Sequence, residues 1–315
     1  MVSPSPNAKE LSPAASLFVE ACNVILRPTN TKIMLHMSRV GTTTGDLEPD
    51  QQPRRWDDHV ALYEEVFEPL TQSFLESGIA ALALEPQSQV LDSGAGTGGA
   101  ALELARRGHR VTAIDASTAM VARIKDRAFA TGLMIEALTM DGQNLLFSDA
   151  SFHAALSILG VILFPDAVRG LSELRRVVRP GGRIVLVTWT APAAFELASE
   201  LRAAALSVLG NLPPRPLPAQ LRFREREEFQ ALFAAAGLPT AEISGVTAKL
   251  VAPSAAWLAE RLSFAPGMAA LLDGFGAAKA EVTEAFRSRL EAMRGSQGVS
   301  LSARAYLGSA MVTNT

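Results

Sequence analysis

The chain has 315 residues, 48% of them hydrophobic and 19% charged, with a formal net charge of −3. That length allows one substantial core plus a smaller appendage, the composition is globular, and the slight negative charge with scattered arginines disfavours nucleic-acid partners. Cys22 is the only cysteine, and His36, His59, His109 and His153 lack the short spacings of metal ligands, so neither an intramolecular disulfide nor a metal site is expected.

In chain order, residues 1–53 are rich in Ser, Pro, Thr and Asn, end in DLEPDQQPRR, and read as a loosely ordered leader. Their one amphipathic stretch, LSPAASLFVEACNVIL, is broken by Glu20 and has no basic lead, so no signal peptide and no stable membrane insertion are expected; the expected location is cytoplasmic. Residues 54–315 then form the main domain. Across 54–83, apolar residues at helical spacing (Val60, Tyr63, Phe67, Leu70, Phe74) predict two helices around Pro69. Across 89–190, the runs QVLD, RVTAID, IEALTMD, AALSIL and RIVLVTW alternate with helical stretches, the signature of βαβ units and a parallel sheet covered on both faces. Across 191–315, helices from Phe195 and REEFQALFAAAG flank the proline-rich LPPRPLP. The strands AEISGVTAKLV and SLSARAYLGSAMV follow, enclosing a helical insert at 253–295. The fold class is therefore α/β: a doubly wound, mostly parallel sheet of seven strands with helical lid elements.

The motif VLDSGAGTGG places Gly94, Gly96 and Gly98 after the first strand and at the start of a helix. Gly94, Gly96 and Gly99 also satisfy the dinucleotide fingerprint, so an NAD(P)-dependent oxidoreductase is an alternative. Charge argues against it: a pyrophosphate avoids a neighbouring carboxylate, whereas Asp92 suits S-adenosylmethionine (SAM), which carries an ammonium and a sulfonium. Asp115 ends the second strand, where a carboxylate can accept from both ribose hydroxyls, and Asp141 ends the third, where it can accept from an adenine amino group beside Gly142 and Gln143.

On the segments VLDSGAGTGGAALELARRGHRVTAIDAS, MDGQNLLFSDASFHAAL and LSELRRVVRPGGRIVLVTW, the chain resembles the class I SAM-dependent methyltransferases, in particular the ubiquinone and menaquinone biosynthesis C-methyltransferase group. The resemblance implies that Asp92, Gly94 and Gly96 hold the methionine end with Ser157 and Ile158 beside it, Asp115 the ribose, and Asp141 with Gly142 and Gln143 the adenine. By the same resemblance, Ala95, Ala116 and Met120 also belong to the cofactor-binding set, while Tyr63 lies in a helix folded over the cofactor. His153 replaces the family's usual Asp after Phe152 and reads as structural, since it starts a strand remote from the carboxyl ends. The family's cysteine or histidine catalytic signatures are absent, and no general base is assigned.

A sulfonium is an activated leaving group, so alignment alone can supply much of the acceleration, with a base needed only where the acceptor must lose a proton. The insert carries more apolar residues than one helix face needs. Trp56, Trp257 and Phe264 are therefore expected to line a pocket for a small, largely apolar acceptor, with core packing or a homo-oligomer interface as the alternative for the insert. A SAM-binding regulatory protein without turnover shares every cofactor motif and remains a second alternative.

Overall fold

The computed structural model describes residues 47–214 and 216–313. The first 46 residues, which contain most of the expected leader, lie outside the described residues.

Seven strands form one sheet in the order β3-β2-β1-β4-β5-β7-β6. They are β1 Gln89–Ser93, β2 Arg110–Asp115, β3 Ile135–Thr139, β4 Phe152–Ile158, β5 Val178–Trp189, β6 Glu242–Ala252 and β7 Val299–Met311. β1 to β5 pair in parallel, and β7 runs antiparallel between β5 and β6. The longer helices are α1 Leu75–Leu82, α2 Gly99–Arg106, α3 Thr118–Thr131, α4 Ala167–Val177, α5 Glu196–Leu209, α6 Arg226–Ala235, α7 Ala255–Glu260, α8 Pro266–Asp273 and α9 Lys279–Ala292. No helix of the described residues is long and apolar enough to cross a membrane.

Two cores result because successive strand residues point to opposite faces. Val90, Ala113, Leu156 and Val185 join one cluster, which includes residues of α1, α2, α3, α5 and the insert helices; Leu91, Ile114, Ala155 and Ile184 join the other, with α4 and α6. Strand order reverses between β1 and β4, which makes the crevice beyond their carboxyl ends the natural ligand site. The two loops touch there: a Cβ on Gly94 would lie 2.8 Å from the Gly160 Cα.

Three local expectations need correction. The expected break at Pro69 is absent. The chain is helical through Val60–Leu62, a π turn Tyr63–Phe67 and Glu68–Gln72, and breaks only at Ser73 and Phe74. The wider π turn, in which the Glu68 N–H reaches back to the Tyr63 carbonyl, accommodates the proline ring that would otherwise clash with the preceding turn. β3 ends at Thr139, so Asp141 sits beyond the strand in a turn, where its Oδ1 accepts from the Gln143 amide at 2.9 Å. Residues 47–53 do not behave as leader: Pro49–Gln51 form a 3-10 turn, and the Glu48 carboxylate accepts from the Ala219 amide at 2.8 Å.

Candidate functional site

The glycine loop follows from β1. Gly94, Gly96 and Gly98 have φ of 69°, 54° and 87°, a region that costs any side-chain-bearing residue energy. The amides of Gly94 and Ala95 both donate to the Ile114 carbonyl at 2.9 Å, binding the loop to the end of β2. Asp115 fixes it further: Oδ2 accepts from the Gly96 amide and Oδ1 from the Ser117 amide, both at 2.9 Å. This carboxylate thus shapes the loop, a role its strand-end position did not disclose.

Over the loop lies the helical segment 60–72, hereafter the cap. Tyr63 sits on Gly96 so closely that a Cβ there would be 3.1 Å from its ring. Ion pairs clamp the cap to α3: Glu64 takes Arg123 at 2.5 and 2.8 Å, and buried Glu68 takes Arg127 at 2.7 Å and the Thr97 hydroxyl at 2.5 Å. Asp57 completes the clamp by accepting from the Ser117 hydroxyl at 2.5 Å and the Ala119 amide at 3.1 Å. A favourable anion at a helix start is what the α3 macrodipole provides for.

Asp92 is 2% exposed, and its Oδ2 has no hydrogen-bond partner. Burial, reinforced by repulsion from Asp115, pushes its carboxyl up to about 7; burial pushes Asp115 up to about 6 against the opposing pull of its amide donors. Asp92 opens into a small recess shared with Tyr63, Glu68, Gly94 and Ala95. Two carboxylates around an orphaned oxygen suit a cationic ligand and repel a pyrophosphate.

A larger cavity of about 440 Å³ adjoins this recess, sharing Tyr63, Gly94 and Ile158 with it. One end is walled by Gly94, Gly96, Asp115, Ala116, Met120, Asp141, Gly142, Gln143 and Ile158. The other is aromatic and apolar: Trp56, Phe67, Trp189, Phe195, Phe264 and Met268. Phe67 stacks on Phe264 at 4.9 Å and Trp189 on Phe195 at 5.2 Å, so these rings support one another as rigid walls.

Of the residues selected from sequence, the cavity and its recess therefore collect Trp56, Tyr63, Asp92, Gly94, Ala95, Gly96, Asp115, Ala116, Met120, Asp141, Gly142, Gln143, Ile158 and Phe264. Ser157 and Trp257 line neither. Ser157 is 1% exposed and spends its hydroxyl inside the protein, donating to the Ser93 carbonyl at 2.7 Å and accepting from the Val161 amide at 3.0 Å. Trp257 instead lies under the Arg261 guanidinium, 4.9 Å from its ring centre. His59 and His153 are also structural: His59 Nδ1 pairs with the Ser263 carbonyl at 2.8 Å, and His153 Nδ1 accepts from the Gln89 amide at 3.1 Å.

The sequence reading missed several wall residues. Phe164 fills the space above two glycines, each of which would bring a Cβ within 2.5 Å of its ring at Gly142 and Gly170. Trp189 ends β5, a strand-end position that could have marked it. Asp50 and Gln51 belong to the segment read as leader.

Residues 90–182 match the methyltransferase domain family. Over that stretch the chain is similar to methyltransferase domains, and its seven-stranded sheet has the fold of the class I SAM-dependent methyltransferases. Within that class it is similar to a demethylmenaquinone methyltransferase of Beutenbergia cavernae, 36% identical over 47% of this chain and 61% of that protein. It is also similar to an uncharacterised protein of Mycobacterium tuberculosis, 34% identical over 51% of this chain and 57% of that protein. The matches thus span little more than half the length of these relatives. A putative methyltransferase of Bacillus halodurans has the same fold, with a TM-score of 0.52 at 17% identity over 77% of this chain and all of that one.

Proposed function

We propose that this chain transfers a methyl group from SAM to a small, largely apolar acceptor held at the aromatic end of the cavity. The observation that carries the reading is continuity: a single cavity runs from the glycine loop and acidic strand ends to walls of stacked aromatic rings. The demethylmenaquinone methyltransferase relative supports an acceptor of apolar character.

The residues present fit the cofactor. Asp92, with its unpartnered oxygen, and Glu68 suit an ammonium; Asp115 offers further acceptor capacity to hydroxyls; the turn Asp141–Gly142–Gln143 and Phe164 form an edge for a purine. When bound, SAM supplies an electrophilic methyl group on a sulfonium. The protein holds the glycine loop in place through Ile114 and Asp115, covers it with Tyr63, and excludes water from the acceptor end with the rings of Phe67, Trp189 and Phe264. The acidic surroundings of the loop are the reason for setting aside a nicotinamide dinucleotide.

The test combines calorimetric titration of SAM and NADH with incubation of radiolabelled SAM and cell extract, followed by mass spectrometry of labelled product. Binding of SAM, no binding of NADH and label in an apolar metabolite are expected. Preference for NADH would overturn the cofactor reading, and SAM binding without any labelled product would favour a regulatory SAM-binding protein.

A further inference from the structure

The aromatic end of the cavity contains one carboxyl side chain that the cofactor reading leaves unused. Asp50 stands in the 3-10 turn Pro49–Gln51 and lines the cavity. Its carbonyl accepts from the Trp56 indole N–H at 2.9 Å, and its Oδ1 accepts from the Gly267 amide at 2.7 Å. Position 267 has to be glycine for this approach, because a Cβ there would collide with the carboxylate. Oδ2 has no hydrogen-bond partner among the described residues. Burial raises the Asp50 carboxyl, as does neighbouring Glu48, while the Gly267 amide and His59 oppose the rise.

The rest of the wall restricts what can meet this group. Among the described residues, the titratable side chains of the cavity are Asp50, Tyr63, Asp115 and Asp141, and the last three belong to the glycine-loop end. Among the described residues, no Lys, Arg or His lines it. An anionic acceptor would find repulsion and no counter-charge, and an acceptor without a donor would leave the second oxygen of half-buried Asp50 without a hydrogen bond from the ligand.

We propose that Asp50 is the acceptor-reading residue of the cavity: its Oδ2 receives the hydrogen bond, and then the proton, of an O–H or N–H group on an uncharged, ring-bearing acceptor. The inference rests on the methyltransferase reading and adds a substrate class to it. In the transfer, the acceptor oxygen or nitrogen forms a bond to the methyl carbon, the carbon–sulfur pair stays with sulfur, and the O–H or N–H proton passes to Asp50, which later releases it to water.

The experiment uses the full chain in equilibrium dialysis against naphthalene, naphthalen-1-ol, naphthalen-1-amine and 1-naphthoate, with SAM affinity measured in parallel. The wild type should bind the alcohol or the amine about tenfold more tightly than naphthalene, as a hydrogen bond to a charged group implies, and should reject naphthoate. Which of the two is preferred separates O–H from N–H acceptors. Asp50→Asn keeps an oxygen for the Gly267 amide, so it should fold and bind SAM normally, lose the preference and admit naphthoate. Gly267→Ala, which displaces the carboxylate, should lose the preference too. Absence of a preference in the wild type, or its survival in Asp50→Asn, overturns the proposal. So does an equal loss of SAM and all four aromatic compounds in Asp50→Asn, which would make Asp50 a fastening for residues 47–53. A wild type that prefers the alcohol or amine yet ignores SAM would refute the methyltransferase reading and leave the Asp50 site standing.

Discussion

Replacing Asp92 by Asn should make the ligand-free protein more stable and the cofactor complex weaker. Burial and Asp115 move the Asp92 carboxyl from 3.8 to about 7. A raised acid pKa means that the folded chain holds this proton more tightly than the unfolded chain does. The group's contribution is therefore neutral below pH ~4, becomes progressively unfavourable up to pH ~7, and is constant above that. At about 1.4 kcal/mol per unit, the penalty is about 2 kcal/mol at pH 5 and about 4 kcal/mol at pH 8. Asparagine has the same shape and places an NH₂ donor in the recess beside Glu68. Urea unfolding of both proteins from pH 5 to pH 8 should show a gain for Asp92→Asn that grows with pH. Calorimetry should show SAM affinity reduced by about tenfold or more, the loss expected when a hydrogen bond to a charged group is removed. A variant that is less stable at pH 8, or whose difference from wild type does not vary with pH, would refute the reasoning.

Three further outcomes are expected. Phe264→Ala, which removes a 2%-exposed ring stacked on Phe67, should cost about 3–5 kcal/mol of stability and weaken naphthalene binding, whereas Trp257→Ala, outside the cavity, should leave naphthalene binding unchanged; urea unfolding and dialysis distinguish them. Arg127→Met leaves the Glu68 carboxylate buried without its cation and should destabilise by about 3–5 kcal/mol while weakening SAM binding, and unchanged melting and affinity would remove the clamp from the account. A chain beginning at residue 54 should melt lower and bind naphthalene more weakly than one beginning at residue 47, because the difference between them is the turn held by Glu48 and Asp50; equal behaviour would show that this turn adds nothing to the cavity.

The parts of the molecule legible in the sequence are those governed by local rules. Alternation of apolar runs with helical stretches gave the strands, because a strand buried on both faces needs a continuous apolar run bounded by turns. Gly94, Gly96 and Gly98 were recognisable because positive φ excludes other residues cheaply. The roles of Ser157 and Trp257 were not legible. Position beside a strand end or within an apolar insert does not tell whether a hydroxyl faces a ligand or the Ser93 carbonyl, or whether an indole faces a cavity or Arg261. Residues 47–53 were illegible for another reason. They dock through carboxylates on the amides of Ala219 and Gly267, more than 170 residues away, and carry no hydrophobic periodicity that would reveal the docking.

The cavity's floor and roof have different origins. The glycine loop and acidic strand ends lie within residues 90–182, the stretch that matches the family, whereas the roof joins residues 50–65 to residues 261–267, on either side of that stretch. The seams are Asp50 to Gly267, His59 to Ser263 and Glu65 to Arg261, with sequence separations of 217, 204 and 196 residues. A ribosome must therefore release most of the polypeptide, through Gly267, before the aromatic end of the cavity has a ceiling, although the parts of the floor are made much earlier. The same division leaves the roof open to variation in the flanking segments while the stretch that matches the family stays as it is.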